Sequence, residues 1–125
     1  GLSAGKVRTL KAAARAAMSG DLMLVPEPET TDEEVVERLV AVTGIGPWTA
    51  DIYLMFALGR PDAFAPGDLA LQIAAQMGFG LEDRPTPDEL IELVESWRPW
   101  RGVGARLLWH YYAAVKSQGA NAVPV

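Results

Sequence analysis

The sequence predicts an all-α fold of about six helices, and three observations carry that prediction. Apolar residues recur at three- and four-residue steps along most of the chain, the spacing that gathers on one side of a helix. Thr31-Asp32-Glu33-Glu34 and Thr86-Pro87-Asp88-Glu89 each have the form of a capping box, a hydroxyl residue followed three positions later by a glutamate. No stretch alternates apolar and polar residues as a strand would, and no internal repeat is evident. With 125 residues, half of them hydrophobic, the chain has the length of one domain and enough apolar surface for a core. That domain is expected over 1–117, with 118–125 as a tail, and Gly1 reads as a cut rather than a native start.

Taken in order, Ser3 caps a first helix running to about Met18, with Val7, Leu10, Ala14 and Met18 on one apolar face and Ser19-Gly20 as its stop. Pro26 and Pro28 make 21–30 an extended connection. The first capping box opens a second helix whose apolar Val35, Val36, Leu39 and Val40 lead into Gly44-Ile45-Gly46. A third helix, Pro47 to Leu58, is apolar nearly all round and is expected in the middle of a bundle, stopped by Gly59. Arg60 to Gly67 reads as a rigid loop leading to Asp68. There a fourth helix begins with Leu69, Ile73, Ala74 and Met77 and is closed by Gly78. The second capping box starts a helix through Trp97, and a last helix runs from about Arg101 to Lys116.

Composition removes whole classes of chemistry. With no cysteine, a disulfide framework, a thiolate zinc site and an iron–sulfur cluster are excluded. His110 is the single histidine, which argues against a histidine metal site or a Ser-His-Asp triad. No run of about 18 apolar residues is present to span a membrane, and a cytoplasmic protein is expected. A net charge of −5 argues against a general nucleic-acid binder. The charge is unevenly spread, however. Lys6, Arg8, Lys11 and Arg15 fall within 1–18 with no acid, and Arg98, Arg101 and Arg106 fall within 98–106, again with none. From charge alone, solvated helix faces account for such clusters better than a binding surface does.

Two stretches invite chemistry. At Gly44-Ile45-Gly46-Pro47 the missing side chains allow a sharp bend close to a ligand, and Pro47 suits the first helical position. Free N–H groups at a helix start attract anions. An ordinary tight turn between two helices explains the same residues. Asp68, directly after Pro66-Gly67, offers a carboxylate at a helix start, and a plain N-cap explains it with no catalysis.

The turn and its flanking helices resemble the helix-hairpin-helix of DNA repair proteins. Three motifs in order, Thr43-Gly44-Ile45-Gly46-Pro47-Trp48-Thr49-Ala50, Phe64-Ala65-Pro66-Gly67-Asp68 and Ser96-Trp97-Arg98-Pro99-Trp100-Arg101, are similar to those of the AlkA-type 3-methyladenine DNA glycosylases. The opening Gly1-Leu2-Ser3-x-x-Lys6 also fits, and the likeness covers about 1–116. The resemblance implies an enzyme that hydrolyses the N-glycosidic bond of alkylated purines in double-stranded DNA, with Asp68 as the catalytic carboxylate. It implies Trp48, Trp109 and Ile52 around the base, although Ile52 stands where a tyrosine occurs in the best-known relative. Gly44, Ile45, Gly46 and Thr49, with Arg101 and Arg106, would meet the DNA backbone.

Trp48 occupies the position that holds a lysine in strand-cutting members of the superfamily, so no lyase step is implied. A structural Na+ or K+ would be held by the main-chain oxygens of Val40, Val42 and Ile45. Thr43 replaces the usual proline. Family members also carry an N-terminal portion that helps to complete the site, so the resemblance implies that this domain is part of a longer chain acting on the bacterial nucleoid. Two other readings stay open: a helix-hairpin-helix module that docks on DNA without catalysis, and a helical protein-interaction domain.

Overall fold

The computed structural model describes residues 1–121. It is all-helical, with six α-helices and no strand among the described residues. Contacts cluster into two compact units, Gly1–Arg60 and Pro61–Val125, where the sequence suggests a single domain.

The first unit holds α1 (Ala4–Ser19), α2 (Asp32–Val40) and α3 (Pro47–Ile52), the last followed by a π-helical turn at Tyr53–Ala57. Ser3 caps α1 by accepting the Lys6 N–H, and both halves of the Thr31–Glu34 capping box are formed at α2. Leu22, Val35, Leu39, Val42, Ala50, Leu54 and Met55 are buried. The Tyr53 hydroxyl donates to the Leu24 carbonyl, tying the extended connection to the end of α3. Arg60 closes the unit with an ion pair to Asp32 at 3.4 Å.

Of two expectations for this unit, one gains a direction and one needs correction. The apolar face read from Val7, Leu10, Ala14 and Met18 is on the outside, with Leu10 57% and Met18 88% exposed. Small residues take the inner side instead: Thr9 lies against Gly44, and Ala12 and Ala16 line a depression shared with α2. The helix Pro47 to Leu58 is neither continuous nor wholly buried. Its ladder widens where the Leu58 N–H bonds to the Tyr53 carbonyl at 3.0 Å, and Trp48 and Phe56 are about half exposed. Gly59, at φ +63°, does stop the element, as expected.

In the second unit α4 (Leu69–Phe79) packs along α6 (Arg101–Asn121), with α5 (Pro87–Leu93) and a 3-10 turn at Glu95–Trp97 between them in sequence. Leu71, Leu90 and Val94 are fully buried, each contributing about 1.5–3 kcal/mol. The second capping box is formed at Thr86–Glu89. The last α-helical turn before Trp97 is replaced by the 3-10 turn, whose Trp97 ring stacks on Phe79 and approaches α6 where Gly104 has no side chain. A Cβ at Gly104 would come within 2.3 Å of that ring. Closure of α4 falls at Gly80, at φ +65°, and not at Gly78. Gly78 is helical, and a Cβ there would come within 3.7 Å of the Tyr111 ring. α6 continues to Asn121, through the first part of the expected tail, while 122–125 lie outside the described residues. No helix among the described residues is long and apolar enough to cross a membrane.

Candidate functional site

The first unit supplies the hairpin. α2 ends at Val40, and the chain turns through Val42 and Ile45, whose N–H groups donate to the Leu39 and Val42 carbonyls at 3.1 Å. The two glycines differ in why they are needed. Gly44 sits at φ +92°, and a Cβ there would lie 1.9 Å from the Thr9 hydroxyl, so α1 dictates its identity. Gly46 has an ordinary φ of −96°, and a Cβ there would meet nothing within 4 Å. Nothing among the described residues asks for glycine at 46. Pro47 stands at the start of α3, as expected. Trp48 is half exposed, Thr49 is exposed, and Ile52, one turn on from Trp48, is half-buried.

The three carbonyls assigned to a monovalent cation lie at the end of α2 and in the turn. The Val42 oxygen already accepts the Ile45 N–H. Main-chain oxygens suit a hard alkali cation, and a carbonyl with one hydrogen bond keeps a second lone pair.

The second unit supplies the carboxylate. Phe64 and Ala65 are buried, and a turn from the Asp68 N–H to the Ala65 carbonyl, 3.0 Å, brings the chain to the start of α4. Asp68 is the N-cap, its Oδ1 accepting the Leu71 N–H at 3.0 Å. The same oxygen accepts the Trp109 indole N–H, also at 3.0 Å. Trp109 comes from α6, 41 residues away, and is half-buried. Two expected site residues are thus in direct contact. An N-cap alone needs only the backbone donor; the indole is a second constraint on where this carboxylate points.

Arg101 has a different setting. Its guanidinium and backbone N–H hold both oxygens of Asp62 at 3.0–3.1 Å, and Arg98 adds a contact of 2.9 Å to the same carboxylate. Burial raises the Asp62 carboxyl, but hydrogen bonds and charge from Arg101 and Arg98 outweigh it and leave the group below the usual carboxylate range. Arg106, further along α6, is exposed.

No family profile matches the chain. A relative in Bacillus subtilis, the putative DNA-3-methyladenine glycosylase YfjP, is 38% identical over 90 residues, covering 72% of this chain and 31% of that protein. Schizosaccharomyces pombe 3-methyladenine DNA glycosylase Mag1, solved in complex with abasic DNA, matches with a TM-score of 0.76 and 34% identity, covering 87% of this chain and 53% of its own. The chain belongs to the AlkA-type helix-hairpin-helix DNA glycosylases. A DNA-3-methyladenine glycosidase from Bacillus halodurans gives a TM-score of 0.82 at 29% identity, over 94% of this chain and 54% of that one. The chain therefore spans about half the length of these solved relatives.

In this AlkA-type chain, sequence reasoning missed three groups. Gln72, a buried polar residue in an apolar run, donates from Nε2 to the Pro66 carbonyl at 2.9 Å and so pins the loop that delivers Asp68. Its signal was its place one helical turn beyond Asp68. Asp62 was passed over as a loop residue. Lys6 and Arg8 stood out only as members of a cationic cluster with no role assigned, and Thr9 not at all, yet the three line one groove with the hairpin.

Proposed function

We propose that this chain carries the catalytic region of a monofunctional DNA glycosylase, releasing alkylated purines of the 3-methyladenine type from double-stranded DNA. The observation that carries the reading is the Asp68 carboxylate, aimed by the Trp109 indole and the α4 N-terminus on a loop pinned by Gln72. A carboxylate so restrained is preorganised to face developing positive charge, the condition for effective electrostatic catalysis.

The chemistry follows from the substrate. A base inside the duplex must be flipped out, at a few kcal/mol, and a damaged base costs least. N-alkylation leaves the purine cationic and a good leaving group. As the glycosidic bond breaks, the sugar acquires oxocarbenium character. Asp68 stabilises that charge and orients or activates the attacking water. Trp48, Trp109 and Ile52 are the residues proposed to meet the base, and an indole face offers a cation roughly 0.5–2 kcal/mol. With Trp48 where a lyase would carry lysine, the reaction ends at the abasic site.

The DNA backbone is assigned to the turn at Gly44, Ile45, Gly46 and Thr49, supported by the open space at Gly46. Arg101 and Arg106 remain candidate phosphate contacts, and Arg101 also holds the loop before Asp68 through Asp62. A Na+ or K+ bound by the Val40, Val42 and Ile45 oxygens would add positive charge at the turn. The relatives are about twice as long, which supports a further, N-terminal portion that completes the enzyme. Its place of action would be the DNA of a bacterial nucleoid.

The test is release of 3-methyladenine or 7-methylguanine from alkylated DNA by wild type and Asp68→Asn. Asparagine keeps the N-cap acceptor, so the fold is retained. Release is expected to fall about 100-fold or more with DNA binding kept. Equal rates overturn the assignment, and binding without release by the wild type would leave a docking module.

A further inference from the structure

A groove of about 670 Å³ lies between the first turns of α1 and the hairpin, lined by Leu2, Lys6, Arg8 and Leu10 on one side and by Gly44, Ile45 and Thr49 on the other. Resting on the DNA reading above, we propose that this groove seats the sugar–phosphate backbone next to the hairpin, with Lys6 and Arg8 as two phosphate contacts.

Five observations support it. The protein carries a net charge of −5, yet 1–18 hold four cations and no acid. Lys6 and Arg8 are exposed, and among the described residues no carboxylate pairs with either. Their positions relative to the hairpin are fixed, because Thr9 packs into the space left by Gly44 while its hydroxyl donates to the Gly5 carbonyl at 3.2 Å. The Arg8 guanidinium folds back along α1 to Gly5, itself a lining residue, where a Cβ would lie 3.8 Å from its Nη2. The largely apolar lining suits deoxyribose, and the charges of Lys6 and Arg8 within it suit phosphate. Lys11 and Arg15 share the helix but do not line the groove, so they separate a local contact from the charge of α1 as a whole.

The experiment measures affinity for a labelled duplex carrying a tetrahydrofuran abasic analogue, as a function of salt, for wild type, K6Q, R8Q, K6Q/R8Q and R15Q. Glutamine, lysine and arginine have similar helix propensities, and circular dichroism checks that α1 is intact. Each lost contact removes about 0.9 from the slope of log affinity against log salt, so the double variant should lose about 1.8, on the order of 50-fold at 0.1 M salt. R15Q should leave the slope unchanged. An unchanged slope in K6Q/R8Q, or a loss in R15Q equal to either single variant, overturns the groove. A wild type with neither salt-dependent affinity nor base release overturns the DNA reading itself.

Discussion

At the residue scale, Asp51 and Gly46 make separate predictions. Burial pushes the Asp51 carboxyl up to about 6. Between the unfolded value near 3.9 and about 6, the folded protein binds the extra proton, so stability falls as pH rises through that window. Above it the penalty is complete. Asp51→Asn should therefore raise the melting stability at pH 7.5 by about 1 kcal/mol, after discounting for the part that solvent still screens. It should change little at pH 4; an equal gain at both pH values would contradict a titrating origin. Gly46→Ala adds a methyl group to open space at an ordinary φ. Its stability should change by less than about 0.5 kcal/mol while duplex affinity drops. Gly44→Ala should instead lose about 1–3 kcal/mol of stability from its positive φ, with more from the Thr9 clash. Thermal melts and a binding titration on the two variants separate these roles.

Between elements, the Asp62 staple is the connection to test. Three donors of Arg101 and one of Arg98 hold the loop before Asp68 to the start of α6, and the Gly102 N–H reaches the Pro61 carbonyl at 2.9 Å beside them. Asp62→Asn should cost about 1–2 kcal/mol at pH 7, between the exposed and buried limits for an ion pair. Because the folded carboxyl is held below its ordinary range, that stability is present above the unfolded value and lost as pH falls through the folded one. Wild type and variant should therefore converge in strong acid, as read by denaturant unfolding. Persistent separation there would mean that packing, not charge, links the loop to α6.

For the molecule as a whole, legibility in the sequence followed locality. Caps at Ser3, Thr31 and Thr86 were readable because an N-cap bond spans three residues. The stop at Gly59 was equally local. The apolar stripe of α1 was visible too, but periodicity states only that a face is apolar, not which side the protein covers. Alanines, glycine and threonine took the covered side because small residues permit close helix approach. Asp68 could be chosen from its neighbours in sequence. Its partner Trp109 is 41 residues away and came only through the family likeness, while Gln72 came through neither. The tie of Arg101 to Asp62 was hidden for the same reason, since that carboxylate is 39 residues distant.

The bond from Trp109 to Asp68 also makes the carboxylate observable. Fluorine placed on the indole rings would give one NMR signal for each of the four tryptophans, and the signal lost on Trp109→Phe identifies the reporter. Its frequency would follow the electronic state of the neighbouring oxygen as acid or a DNA strand is added, giving a direct view of this group without any assay of turnover.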